Sequence, residues 1–300
     1  MGMVLTQQSF FFPSLDSIVN VASVPQRSVF RYPGGKTWLV PQVRRWLAAR
    51  SSPRLSRGER KAGLFLEPFA GGGIVGLTVA FEGLAERVLL VERDPDVSAV
   101  WRVILNGQAE SLAQRIREYS LTRDNVRLAL AARPRTLMDR AFLTLLRNRV
   151  QHGGIMAPGA SIMKDGENGK GIGSRWYPET LARRIQEISI RRDRIGFEQA
   201  DAFAMIDFYK QAQNILFFID PPYTVAGKRL YRFSQVDHPR LFHLMRTVRG
   251  DFLMTYDDTT EVRRWAADCD FDVEKVAMKS RQHTEKYELL IGKNLDWARG

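Results

Sequence analysis

Asp220-Pro221-Pro222-Tyr223 follows the apolar run Asn214-Ile215-Leu216-Phe217-Phe218-Ile219 without a break. Two prolines stiffen the exit from a strand and remove two backbone donors, leaving carbonyls aimed outward. A carboxylate and a proline carbonyl placed there can accept the two N–H groups of an exocyclic amine conjugated to an aromatic ring. Such an amine is a poor nucleophile, and this grip turns its nitrogen lone pair toward an electrophile. Tyr223 adds an aromatic face on which the ring can stack. The plainer alternative is a rigid strand-ending turn capped by an aromatic residue.

A second group of residues suits a different ligand. Phe65-Leu66-Glu67-Pro68-Phe69-Ala70-Gly71-Gly72-Gly73 lies where an apolar run hands over to a helix-like stretch reaching Val79 and Ala80. Glycines at a strand end let the backbone approach a ligand closely, and ligands of open α/β sheets bind at the carboxyl ends of strands. Glu92 stands nineteen residues after Gly73, closing the next apolar run, Arg87-Val88-Leu89-Leu90-Val91, where a carboxylate can accept hydrogen bonds from ribose hydroxyls. Gly71, Gly73 and Gly76 also satisfy G-x-G-x-x-G, so a nicotinamide dehydrogenase and a merely flexible loop remain alternatives. Gly34-Gly35-Lys36-Thr37 looks like the end of a phosphate-binding P-loop, but Phe30 stands where that motif needs glycine.

Uninterrupted apolar runs alternating with helical stretches predict parallel strands covered on both faces, a doubly wound α/β sheet. Between 107 and 195 the pattern changes to arginine-rich helices around a glycine-rich segment, Gly153 to Gly173, expected to be an inserted, mainly helical subdomain with a mobile loop. Residues 1–26 lack clear periodicity and read as a poorly ordered or loosely docked extension. The 300 residues carry 45 Lys and Arg against 33 Asp and Glu, a formal charge of +12, which favours a polyanionic partner. Cys269 is the one cysteine, so neither a disulfide framework nor a thiolate zinc site can form, and the four histidines (His152, His238, His243, His283) show no metal-ligand spacing. No metal is expected. No run has the length of a membrane span and no signal peptide is evident, so a cytoplasmic protein is expected.

Taken in order, Arg31-Tyr32-Pro33-Gly34-Gly35-Lys36, Glu67 to Gly73, and Asp220 to Tyr223 carry a family signature. From about residue 27 to 293 the chain resembles the D12 class (Dam-like) DNA adenine-N6 methyltransferases. The resemblance implies a Rossmann-like methyltransferase fold, S-adenosyl-L-methionine (AdoMet) as cofactor, and methylation of a flipped adenine in double-stranded DNA, as in restriction-modification systems. Residues 27–106 and 196–300 would form the AdoMet-binding catalytic domain, and 107–195 the target-recognition insertion. Tyr32 and Lys36 would help hold AdoMet. Phe69, Ala70 and Gly71 would line its methionine part, Glu92 would bind its ribose, and Glu67, Pro68 and Gly73 would also belong to the cofactor site. Asp201 with Ala202 would meet its adenine, and Asp220 would touch the cofactor while serving, with Pro221, Pro222 and Tyr223, as the catalytic clamp. The expected DNA contacts are Arg147, Asn148, Arg149, Gln151, His152, Lys164, Arg175 and Arg232. Arg147 to Gly153 matches only loosely the stretch that reads Phe-Asn-Gly in better known members, which leaves the recognition sequence open. An RNA adenine-N6 methyltransferase, an N4-cytosine DNA methyltransferase and a catalytically silent DNA-binding protein of the same fold are the alternatives. Oligomeric state, monomer or weak dimer, is not legible.

Overall fold

The computed structural model describes residues 14–15, 17–31, 34–50, 62–156, 160–164, 169–223, 233, 235–279 and 285–299. Seven strands form one sheet: β1 (Leu64–Glu67), β2 (Arg87–Val91), β3 (Ile195–Glu198), β4 (Ile215–Ile219), β5 (Asp251–Asp257), β6 (Asp272–Lys279) and β7 (Glu285–Gly292). Their order is β3-β2-β1-β4-β5-β7-β6. The first five strands in that order pair in parallel, and β7 runs antiparallel to both β5 and β6. The helices are α1 (Val40–Arg50), α2 (Ile74–Glu82), α3 (Pro95–Val103), α4 (Ala109–Glu118), α5 (Arg123–Ala131), α6 (Leu137–Val150), α7 (Pro178–Ser189), α8 (Ala202–Tyr209), α9 (His238–Thr247), α10 (Thr260–Asp268) and α11 (Asp296–Arg299).

The apolar runs of the sequence become central strands because both of their faces are covered. Along β4, Leu216 and Phe218 join one core cluster, while Ile215, Phe217 and Ile219 join the other. This is the period-two alternation of a strand buried on both sides. The chain builds outward from β1 through β2 to β3 on one flank, and through β4 to β5 on the other. The order therefore reverses between β1 and β4, and the segments leaving those two strand ends part to open a crevice.

The helices of 107–195 do not form a core of their own. Leu112 and Ile116 of α4, Leu145 and Leu146 of α6, and Ile185 and Ile188 of α7 belong to the same buried cluster as Val88 and Leu90 of the sheet. α3 leads to α4 through a kink at Ile104–Gln108, where Asn106 and Gly107 leave helical geometry and Gly107 takes φ 85°. Part of the N-terminal extension is docked: Leu15 and Val24 are buried, and the Ala277 N–H on edge strand β6 donates to the Leu15 carbonyl at 2.9 Å. Among the described residues, no helix is long and apolar enough to cross a membrane.

Candidate active site

The turn after β1 is held from several directions. The Ala70 N–H donates to the Val91 carbonyl at 3.0 Å, tying it to β2, and the Gly73 N–H closes on the Ala70 carbonyl at 2.6 Å. The Trp101 indole donates to the Gly71 carbonyl at 3.0 Å, and the Ser28 hydroxyl donates to the Gly72 carbonyl at 2.5 Å. Gly71 and Gly73 take φ 46° and 59°, a left-handed conformation that costs other residues steric energy. Gly76 is required for a different reason. A Cβ there would lie 2.6 Å from both Glu67 Oε2 and Leu90 Cδ2. Its N–H donates to that same Oε2 at 2.7 Å, so Glu67 links β1 to the first turn of α2. Burial is the largest cause raising the Glu67 carboxyl to about 8; the Gly76 N–H pulls it down and the charge of Asp220 pushes it up.

Glu92 extends from the end of β2 under the same turn. Its Oε2 accepts from the Gly71 N–H at 3.1 Å and its Oε1 from the Asp94 N–H at 2.9 Å. Burial raises this carboxyl to about 7 against the pull of those N–H donors. Asp201 follows β3 and caps α8: its Oδ1 accepts from the N–H groups of Phe203 (3.0 Å) and Ala204 (3.3 Å). Its Oδ2 stays half-exposed, 3.9 Å from an Arg93 guanidinium nitrogen.

Across the crevice, Asp220 leaves β4. Its Oδ1 takes both the Lys36 ammonium, at 2.9 Å, and the Thr255 hydroxyl, at 2.8 Å. Lys36 is 3 % exposed. It also donates to the Gly34 carbonyl at 2.9 Å, lies 3.7 Å from Glu288 Oε2, and sits 4.8 Å from the centre of the Tyr223 ring. The Tyr223 hydroxyl donates to Glu288 Oε2 at 2.5 Å, and its ring lies near-parallel to Tyr256 at 6.0 Å. Burial pushes the Tyr223 hydroxyl well above its ordinary value and raises the Glu288 carboxyl, which Lys36 partly offsets.

These groups face one cavity of about 700 Å³, within the range usual for small-molecule sites. Lys36, Glu67, Pro68, Phe69, Ala70, Gly71, Gly73, Glu92, Asp201, Ala202, Asp220, Pro221, Pro222 and Tyr223 all line it, so the glycine turn and the Asp-Pro-Pro-Tyr segment share one chamber. Tyr32 and Arg232 lie outside the described residues. Among the described residues, no group of three or more His, Cys, Asp or Glu could hold a metal ion.

Three of the residues expected to touch DNA, Asn148, Arg149 and Gln151, are buried in the structure. Asn148 has no exposed surface. Its side chain brackets the backbone of Arg31, accepting from the N–H at 2.8 Å and donating to the carbonyl at 3.0 Å, and it donates to the Gly154 carbonyl at 2.9 Å. Arg149, 6 % exposed, donates to the Val29 carbonyl at 2.5 Å. Burial, with the charges of Arg184, Arg31 and Arg175, lowers it to about 9. Gln151 is buried and donates to the Ala160 carbonyl at 3.2 Å. Asn148 and Arg149 thus hold the segment leading to Lys36, while Gln151 holds the loop at Ala160. Arg147 lies half-buried, 3.6 Å from Asp96; His152 and Lys164 are exposed and Arg175 is intermediate. Thr255 and Glu288 were not legible as site residues. Each comes from a strand far along the chain, and only the sheet order brings them to Asp220 and Tyr223.

The doubly wound sheet, with a reversed final strand and a glycine turn at its switch point, defines a Rossmann-like α/β fold. Solved structures similar to it include a ribosomal RNA methyltransferase, AviRa, of Streptomyces viridochromogenes, at 13% identity and TM-score 0.41, covering 94% of this chain and 96% of that one. A provisionally assigned RNA methyltransferase of Pyrococcus horikoshii aligns at 10% identity and TM-score 0.39, covering 91% of this chain and 92% of that one. A conserved hypothetical protein of Streptococcus pyogenes aligns at 10% identity and TM-score 0.31, covering 78% and 86%. Similarity this low carries nothing about substrate. No protein-family model matches the sequence, and no curated protein matches it.

Proposed function

We propose that this chain is an AdoMet-dependent methyltransferase acting on N6 of an adenine flipped out of DNA. The observation that carries the reading is the single cavity into which Glu67–Gly73 and Asp220–Tyr223 both open, from the adjacent ends of β1 and β4. The donor half fits AdoMet on the evidence of its cradle. The left-handed glycines bare the backbone, and Glu92 offers carboxylate oxygens to a ribose. Asp201 and Ala202 stand at the head of α8, on the far side of Glu92, where the cofactor's adenine would lie. When bound, AdoMet supplies an electrophilic methyl group on a sulfonium centre.

The chain's own contribution is placement and fixed polarity rather than covalent chemistry. Asp220 and the Pro221 carbonyl accept the amine's two N–H groups. This withdraws the nitrogen lone pair from ring conjugation and aims it at the donor half of the cavity. Tyr223 presents its ring to the base, and burial keeps its hydroxyl protonated on Glu288. A base paired in a duplex cannot enter this chamber, so extrusion is required, and the formal charge of +12 supplies the attraction to the backbone.

The test is transfer of tritiated methyl from AdoMet to genomic DNA and, separately, to total RNA, followed by nucleoside analysis. Label in N6-methyladenine of DNA is expected. Label confined to RNA would replace the substrate and keep the reaction, label in N4-methylcytosine would replace the base, and label in neither would leave a binding protein.

A further inference from the structure

The acceptor half of the cavity is asymmetric in a way the motif does not reveal. Both described partners of the Asp220 carboxylate, the Lys36 ammonium at 2.9 Å and the Thr255 hydroxyl at 2.8 Å, converge on Oδ1. The second polar end of the clamp, the Tyr223 hydroxyl, is likewise tied, to Glu288 at 2.5 Å. Thr255 is fully buried on β5 and Glu288 is 8 % exposed on β7, and the two strands are directly paired. Neither residue belongs to the strand that carries the clamp.

We infer that Thr255 and Glu288 are positioning residues for methyl transfer: Thr255 fixes the Asp220 carboxylate so that Oδ2 is the oxygen offered to the acceptor amine, and Glu288 locks the Tyr223 ring by accepting its hydroxyl. The inference rests on the proposed methyl transfer to an exocyclic amine. A carboxylate on a free χ1 and χ2 would present either oxygen over a wide arc. A buried hydroxyl and a buried ammonium on one oxygen reduce that to one orientation, with the other oxygen left for the substrate. Tyr223 is fixed in the same manner. Its ring lies near-parallel to Tyr256 at 6.0 Å, with the Lys36 ammonium 4.8 Å from its centre, and the tie from its hydroxyl to Glu288 sets its rotation. The antiparallel pair β5 and β7 thus acts as a jig for a tetrapeptide whose backbone alone is stiff.

Kinetics of tritiated methyl transfer to genomic DNA, with AdoMet affinity measured in parallel by calorimetry, tests this. Thr255→Val keeps the shape and removes the hydroxyl; it is expected to lower kcat about tenfold or more with AdoMet Kd within about twofold of wild type. Thr255→Ser is expected to restore kcat to within about threefold. Tyr223→Phe and Glu288→Gln are each expected to lower kcat, and the double variant to be no more than about twofold worse than the poorer single, since the two report one interaction. Full kcat in Thr255→Val, parallel loss of AdoMet affinity, failure of serine to rescue, or multiplicative losses in the Tyr223 and Glu288 pair would overturn the inference. Should Thr255→Val not fold, the Thr255→Ser rate and the Tyr223 and Glu288 cycle decide it. A wild type that labels neither DNA nor RNA would sink the proposed reaction and this inference together, whereas an active wild type with an equally active Thr255→Val sinks the inference alone.

Discussion

AdoMet affinity should depend on pH through Glu92. This carboxyl is raised to about 7, chiefly because it is buried; the charge of Asp94 adds to the rise, and the N–H groups of Asp94, Gly71 and Arg93 oppose it. A ribose diol donates hydrogen bonds and so prefers the ionised carboxylate. The sign follows: affinity is complete above about 7 and is lost as pH falls through it. For a carboxyl titrating near 7 the ionised fraction is about 0.9 at pH 8 and about 0.1 at pH 6, so Kd should rise roughly tenfold between them. Because AdoMet carries titratable groups of its own, the informative quantity is the difference between wild type and Glu92→Gln. The variant should bind with affinity near the wild type's low-pH value and show no Glu92-dependent step. Calorimetry at the two pH values and constant ionic strength measures this. A wild-type Kd that does not change, or a glutamine variant with the same pH slope, would refute the assignment of Glu92 to the ribose.

Three further outcomes are expected. Asp220→Ala should abolish methyl transfer while AdoMet Kd stays within a few fold, read by tritium incorporation and calorimetry; comparable turnover would mean that another group orients the amine. Glu67 holds a proton in the folded protein, at about 8, that it releases near its ordinary value in the unfolded chain, so its contribution makes stability fall as pH rises between those limits. Glu67→Gln, which can still accept from the Gly76 N–H, should therefore flatten the fall in Tm between pH 5 and pH 8. Asn148→Ala removes three hydrogen bonds of a buried side chain and should destabilise the fold by about 2–4 kcal/mol in urea unfolding, whereas unchanged stability would refute its role in holding residue 31.

The sequence disclosed the parts of the fold that repeat one physical pattern. Leu64 to Leu66, Arg87 to Val91 and Asn214 to Ile219 read as buried strands because each must satisfy two apolar faces, and the structure sets β1, β2 and β4 there within a residue. The crevice between β1 and β4 was legible for the same reason, since glycines and prolines at strand ends have few other uses. β3 was not, because Ile195-Gly196-Phe197-Glu198 is short, carries one glycine and lies on the edge of the sheet. Within the cluster at 147 to 152, the burial of Asn148, Arg149 and Gln151 was not legible, for a physical reason too. Arginine, asparagine and glutamine ahead of a glycine loop look solvated, yet Asn148 and Arg149 are buried by the backbone of residues 29 and 31, more than a hundred positions away. No local pattern encodes that contact. Thr255 and Glu288 escaped notice similarly, since only the pairing of β5 with β7 brings them to Asp220 and Tyr223.

A crystal structure of the protein with AdoMet tests the central claim most directly. The account predicts the ribose on Glu92, the methionine chain along Phe69 to Gly73, and the methyl group directed across the cavity toward Asp220 and Tyr223. A cofactor bound elsewhere, or one whose methyl faces away from Asp220, would contradict it.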